Sequence, residues 1–184
     1  MKIILGIVGE IAAGKTTISN YIKEKHSAES ARFSDCLRDI LKRVYVEETR
    51  QNLQTISTII RENFGQDLIS KTMARDLINK TAPVVITEGI RRPTDITYFK
   101  DLEGFHLIYI TADAKIRWER SVTRKENPGD DQKTFEQFLK EEQAEADKLI
   151  KELGQKAEFT INNNGTLEEL HKQVDEIIEK IKQM

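Results

Sequence analysis

The chain has 184 residues, enough for one well-cored domain and too few for two comfortable ones. Charged residues make up 33% and hydrophobic ones 38%, yet the formal net charge is only -2, so both signs spread over a solvated surface and no basic tract calls for a nucleic-acid partner. One cysteine, Cys36, excludes an intrachain disulfide and a cysteine-rich zinc site, and fits a reducing compartment as a small, half-buried side chain.

The first apolar block, residues 3–8, is short and rich in β-branched residues, which predicts a buried strand. It breaks at Gly9 and Glu10 with no basic leader or cleavage signal, so neither a signal peptide nor a membrane span is expected, and a cytoplasmic location is. Ile18, Tyr21 and Ile22 then repeat at helical spacing. A weaker strand is expected to end near Phe33, out of a polar stretch at 27–32. Helical stripes follow at Leu53, Ile56, Ile60 and Phe64, and at Ile69, Met73 and Leu77, each expected to face the core. Further strands are predicted at 84–87, 107–110 and 159–161. Pro93 suits the first turn of a short helix, and Gly154 is expected to stop a long helix begun at Thr134. The last stripe is Leu167, Leu170, Val174, Ile177 and Ile181. Alternating strands and helices imply a three-layer α/β domain over 1–184 with a five-stranded parallel sheet, and ligands at the carboxyl ends of its strands. Two segments stand apart. Residues 36–82 place three helices where a simple crossover needs one, which suggests an acceptor-binding insertion, and the polar, turn-rich 121–133 suggests a short lid.

Between the first strand and its helix runs Gly9-Glu10-Ile11-Ala12-Ala13-Gly14-Lys15-Thr16, followed by Thr17. The glycines let the backbone wrap a phosphate and turn its N-H groups inward, and the helix N-terminus adds the positive end of its dipole. Lys15 is placed to reach the β and γ phosphates, and Thr16 to offer a hydroxyl to Mg²⁺. The segment therefore predicts a nucleoside triphosphate site spanning Gly9 to Thr17, with ATP and Mg²⁺ as the expected cofactors. Phosphoryl transfer also needs cations outside the loop, and they stand at strand ends: Arg38 after Asp35, and Arg91 and Arg92 after Glu88 and Gly89. Arg61, in the insertion, is a further candidate for the acceptor. Arg117, Arg120 and Arg124 share one helical face leading into the proposed lid, a face able to clamp the donor, whereas Trp118 suits packing better than base stacking.

These residues resemble the nucleoside monophosphate kinase group of P-loop proteins, adenylate-kinase-like and dephospho-coenzyme A kinase-like. Ser34-Asp35-Cys36-Leu37-Arg38 looks like the Gly-Asp-x-Leu-Arg stretch of adenylate kinases, which implies that Arg38 grips the acceptor phosphate. Glu88-Gly89-Ile90-Arg91-Arg92 looks like their Asp-Gly-x-x-Arg segment, implying a metal-supporting role for Glu88 and an acceptor role for Arg91 or Arg92. Arg120-Ser121-Val122-Thr123-Arg124 resembles the Arg-x-x-x-Arg pattern at the lid, implying that one arginine stacks on the donor base and the other binds its phosphates. Ile161-Asn162-Asn163-Asn164-Gly165-Thr166 resembles the Ile-x-Asn-x-Gly-Thr loop of dephospho-coenzyme A kinase-like proteins, which implies that Asn163 borders the donor base. The chain departs from the group after the lid: from Asp131 to Met184 it has no arginine, and Lys133 and Lys140 are the available cations.

The expected activity is ATP-dependent transfer of a phosphoryl group to a nucleoside or deoxynucleoside monophosphate. A dephospho-coenzyme A-like acceptor is the near alternative, and a non-kinase ATPase switch or assembly factor the distant one. The expected partner is a small-molecule phosphate acceptor, with neither nucleic acid nor membrane, for a monomer or homodimer.

Overall fold

The computed structural model describes residues 2–124, 132–142 and 145–184. Five strands, β1 (Ile3–Gly9), β2 (Glu29–Arg32), β3 (Val84–Glu88), β4 (Phe105–Thr111) and β5 (Phe159–Asn162), form one sheet in the order β2-β3-β1-β4-β5. All neighbouring pairs are parallel, with Leu5 opposite Ile86 on one side and His106 on the other. The edges explain the weak strand signals. β2 pairs only with β3 and buries only Ala31, so its sequence can be polar, while β5 alternates buried and exposed residues.

The central strand β1 is buried throughout and feeds both faces of the sheet. Ile3, Leu5 and Ile7 pack with Ile18 and Ile22 of α1 (Lys15–His26) and with Leu170, Val174 and Ile181 of α8 (Leu167–Lys182). Ile4 and Val8 pack on the opposite face with Met73 and Leu77 of α4 (Leu68–Asn79), Phe99, and Leu153 of α7 (Glu145–Gln155). The result is the expected three-layer sandwich. Among the described residues no helix is long and apolar enough to cross a membrane.

Three helices, α2 (Asp35–Arg43), α3 (Arg50–Phe64) and α4, stand between β2 and β3 as the insertion predicted. Only α4 delivers its stripe to the core as expected. In α3 no residue is buried and Phe64 is exposed, because the helix packs chiefly on α2 and α4. Leu167 is likewise exposed at the start of α8.

Of the helix predicted from Thr134 to Gly154 the described residues give α6 (Phe135–Glu142) and α7, residues 143–144 lie outside them, and Gly154 lies within α7. A Cβ there would meet the ring of Tyr109 at 2.9 Å, so this glycine serves a close helix-strand approach and not a stop. Pro93 opens a 3₁₀ turn, Pro93–Ile96, as expected. Of the proposed lid, residues 121–124 close α5 (Ala114–Arg124), and 125–131 lie outside the described residues.

Candidate functional site: a phosphate loop at the end of the central strand

β1 ends at Gly9, whose Cβ would meet the Ile110 carbonyl at 2.2 Å, so only glycine lets β1 and β4 run together to this point. Gly14 precedes α1 with φ +110°, and a Cβ there would meet the Asn163 amide nitrogen at 2.3 Å. Between them the loop carbonyls turn towards donors. Lys15 Nζ donates to the Gly9 and Glu10 carbonyls, 2.7 Å each. Arg117 donates to the Ile11 carbonyl at 3.4 Å and Asn163 to the Ala13 carbonyl at 2.8 Å. In a trans peptide the next N-H points opposite the carbonyl, so holding Ile11 and Ala13 from behind turns the N-H groups of Ala12 and Gly14 to the other side. The donor-rich concavity this leaves suits an anion.

The Glu10 side chain points away from the loop concavity. Its carboxylate is buried, turned inward, and accepts from the Tyr109 hydroxyl, so only its backbone lines the loop. Burial first, then this bond to Glu10, pushes the Tyr109 phenol up to about 12. Thr16 and Thr17 stand exposed at the head of α1.

Beside the loop a cavity of about 540 Å³ is lined by Gly14, Thr17, Arg120, Arg124, Asn163 and Leu167, among others. Its wall combines the α5 arginines with the turn between β5 and α8. The position of Leu167 here accounts for its exposure. Arg120 donates to the Asn163 carbonyl at 2.9 Å. Asn163 thus borders the cavity but spends its side chain on the loop, as an anchor. Arg117 does not share the cavity face with Arg120 and Arg124: it is buried, bonded to the Ala112 carbonyl at 2.8 Å and paired with Glu142. Trp118 packs on Phe135 and donates to the Lys133 carbonyl at 2.8 Å. Lys140 is exposed on α6.

On the other side of the sheet centre, Asp95 gathers a second group of segments that carry predicted acceptor residues. One Asp95 oxygen accepts from the backbone N-H groups of Arg91 (2.9 Å) and Arg92 (3.0 Å), and the other lies 4.0 Å from the Arg61 guanidinium. The Arg61 guanidinium and the backbone of Arg91 and Arg92 therefore meet at one buried carboxylate. Gly89, with φ +87°, makes the turn that carries the chain there from β3. Arg38 stands apart, ion-paired with Glu48 at 3.0 Å. Asp35 is the first residue of α2 after the N-cap position Ser34, and its carboxylate accepts from the Arg32 N-H at 2.7 Å.

Glu88 closes β3 between Lys23 (3.0 Å) and Arg32 (2.9 Å). Burial pushes its carboxyl up, but the two cations outweigh that and hold it below the usual range. Cys36 is half-buried, and burial with the nearby Asp76 charge pushes its thiol up to about 11, so it is no nucleophile at neutral pH.

The AAA domain family model AAA_17 matches residues 8–139, from the end of β1 through the loop into α6. A UPF0200/UPF0201 protein of Archaeoglobus fulgidus is 30% identical over 98% of this chain, which spans only 56% of that relative's length. A UPF0200 protein of Pyrococcus abyssi is 27% identical, covering 97% of this chain and 96% of its own. Among solved structures, shikimate kinase from Bacteroides thetaiotaomicron superposes with a TM-score of 0.62 at 13% identity over 98% of both chains. Shikimate kinase from Acinetobacter baumannii, in complex with shikimate, gives 0.54 at 18% identity over 100% of this chain and 94% of its own. At such identities the likeness shows the fold alone. The loop, the sheet order and the matched model agree: this chain belongs to the AAA domain family of P-loop proteins, built on the kinase-like nucleotide-binding fold.

Proposed function

We propose that this chain is a small-molecule phosphotransferase that moves the γ-phosphate of ATP to a nucleoside or deoxynucleoside monophosphate. The observation that carries the reading is that two centres built by arginine- and lysine-bearing segments stand at the carboxyl end of one parallel sheet. One is the phosphate loop with Lys15, and the other is Asp95, which holds the backbone of Arg91 and Arg92 and lies 4.0 Å from the Arg61 guanidinium. The loop fits a triphosphate because its carbonyls are held from behind and its donors face outward. Thr16 and Glu88 are the residues that would hold Mg²⁺, which would supply charge neutralisation across the β and γ phosphates. Arg120 and Arg124 would hold the donor in its cavity, and Arg38 would leave Glu48 to meet the acceptor. Catalysis by such a site is positioning plus electrostatic neutralisation, with no covalent enzyme intermediate.

A coupled assay of ADP release over a panel of nucleoside monophosphates tests this. Turnover with at least one of them is expected, and Lys15→Ala should abolish it with little change in melting temperature. Phosphorylation of dephospho-coenzyme A with no turnover of any monophosphate would reject the acceptor assignment. Hydrolysis stimulated only by a macromolecule, with no acceptor phosphorylated, would reject the kinase reading.

A further inference from the structure

Arg117 is 3% exposed and contacts no surface of the donor cavity, yet it touches three separate parts of the chain. Its Nε donates to the Ala112 carbonyl after β4 at 2.8 Å. Its Nη1 donates to the Ile11 carbonyl of the phosphate loop at 3.4 Å and pairs with the Glu142 carboxylate of α6. The guanidinium also lies 5.6 Å from the Phe138 ring centre, which is itself buried. A buried ion pair of this kind adds little net stability, because the desolvation of both charges offsets their attraction. What it does fix is geometry: a planar fork held at Ala112, Glu142 and Phe138 presents one donor to Ile11 at a set place.

We propose that Arg117 is a positioning residue that sets the tilt of the Ile11–Ala12 peptide, and through it the affinity of the loop for phosphate, with Glu142 as its anchor on α6. Ala12 has a left-handed backbone, φ +57°, which a residue with a Cβ adopts only where the surroundings hold it. The Arg117 bond to the preceding carbonyl is such a hold. Without it the peptide is free to turn its carbonyl towards the phosphates, replacing a donor with a repelling dipole. The inference rests on the nucleotide reading above and adds a residue to it.

The test uses the full chain and compares wild type with Arg117→Lys, Arg117→Met and Glu142→Gln. Binding of Mg-ATP is measured by calorimetry, binding of adenosine by ligand-observed NMR, and each variant's melting temperature is recorded. Arg117→Lys keeps the charge beside Glu142 but cannot reach Ala112 and Ile11 together. It should melt within a few degrees of wild type and bind Mg-ATP about tenfold more weakly, the worth of one hydrogen bond to a charged group. Adenosine, which fills the donor cavity without engaging the loop, should bind all folded variants as it binds wild type. Mg-ATP affinity unchanged in Arg117→Lys, or adenosine and Mg-ATP weakened by the same factor, overturns the proposal. If Arg117→Met fails to fold, the other two variants decide. Loss of fold in both of those marks the pair as structural and also overturns it. A wild-type chain that does not bind Mg-ATP at all overturns the nucleotide reading with it, whereas normal wild-type binding with unaffected variants removes only the role of Arg117.

Discussion

At the scale of single residues, Glu88 carries a clear pH signature. Its folded pKa lies below the ordinary value of 4.5 because Lys23 and Arg32 favour the charged form. A depressed carboxyl contributes stability that is fully present above the unfolded pKa and is lost as pH falls through the folded one. Urea unfolding of wild type and Glu88→Gln between about pH 5 and pH 3 should therefore show the wild type losing stability more steeply. Parallel slopes would mean that the two ion pairs are too solvated to matter. The loop glycines, Lys15 and Thr16 were readable in the sequence because each is required within a single eight-residue motif. Asn163, Arg117 and Asp95 were not readable as anchors, since an amide or a charge at a strand end looks the same whether it meets ligand or backbone. A sequence clue existed for Asp95 alone, placed early in the turn opened by Pro93, where an acid caps backbone N-H groups.

At the scale of elements, α7 and α3 make opposite predictions. Gly154 presses α7 against the Tyr109 ring, so Gly154→Ala should destabilise the fold by about 1–3 kcal/mol, the usual cost of overpacking, measured by thermal or urea unfolding. A neutral or stabilising effect would show that the ring moves aside freely. By contrast, Phe64→Ala in α3 should shift stability by no more than about 0.5 kcal/mol, because that ring is exposed. The two misread elements share a cause. Periodicity reports which side of a helix is apolar and says nothing of what covers it, so the α3 stripe could not be told from a core stripe. A glycine near a helix end fits both a stop and a close approach, and only the neighbouring strand decides between them. Strands β1, β3 and β4 were legible because buried parallel strands are continuously apolar, while the edge strand β2 was faint for the same reason.

At the scale of the whole molecule, stability should be graded outward from β1, which pairs on both sides and feeds both hydrophobic layers. In native-state hydrogen exchange the amides of β1 should open only with global unfolding, and those of α3 through a cheaper local opening. Equal protection in the two would contradict this layering. The long-range holds on the loop also order its biosynthesis. Its motif ends at residue 16 and is made before the donors to Ile11 and Ala13, which lie 106 and 150 residues downstream. A nascent chain that stops short of Asn163 carries every letter of the motif and lacks the amide that shapes it, so the loop takes its form only once Asn163 has been made.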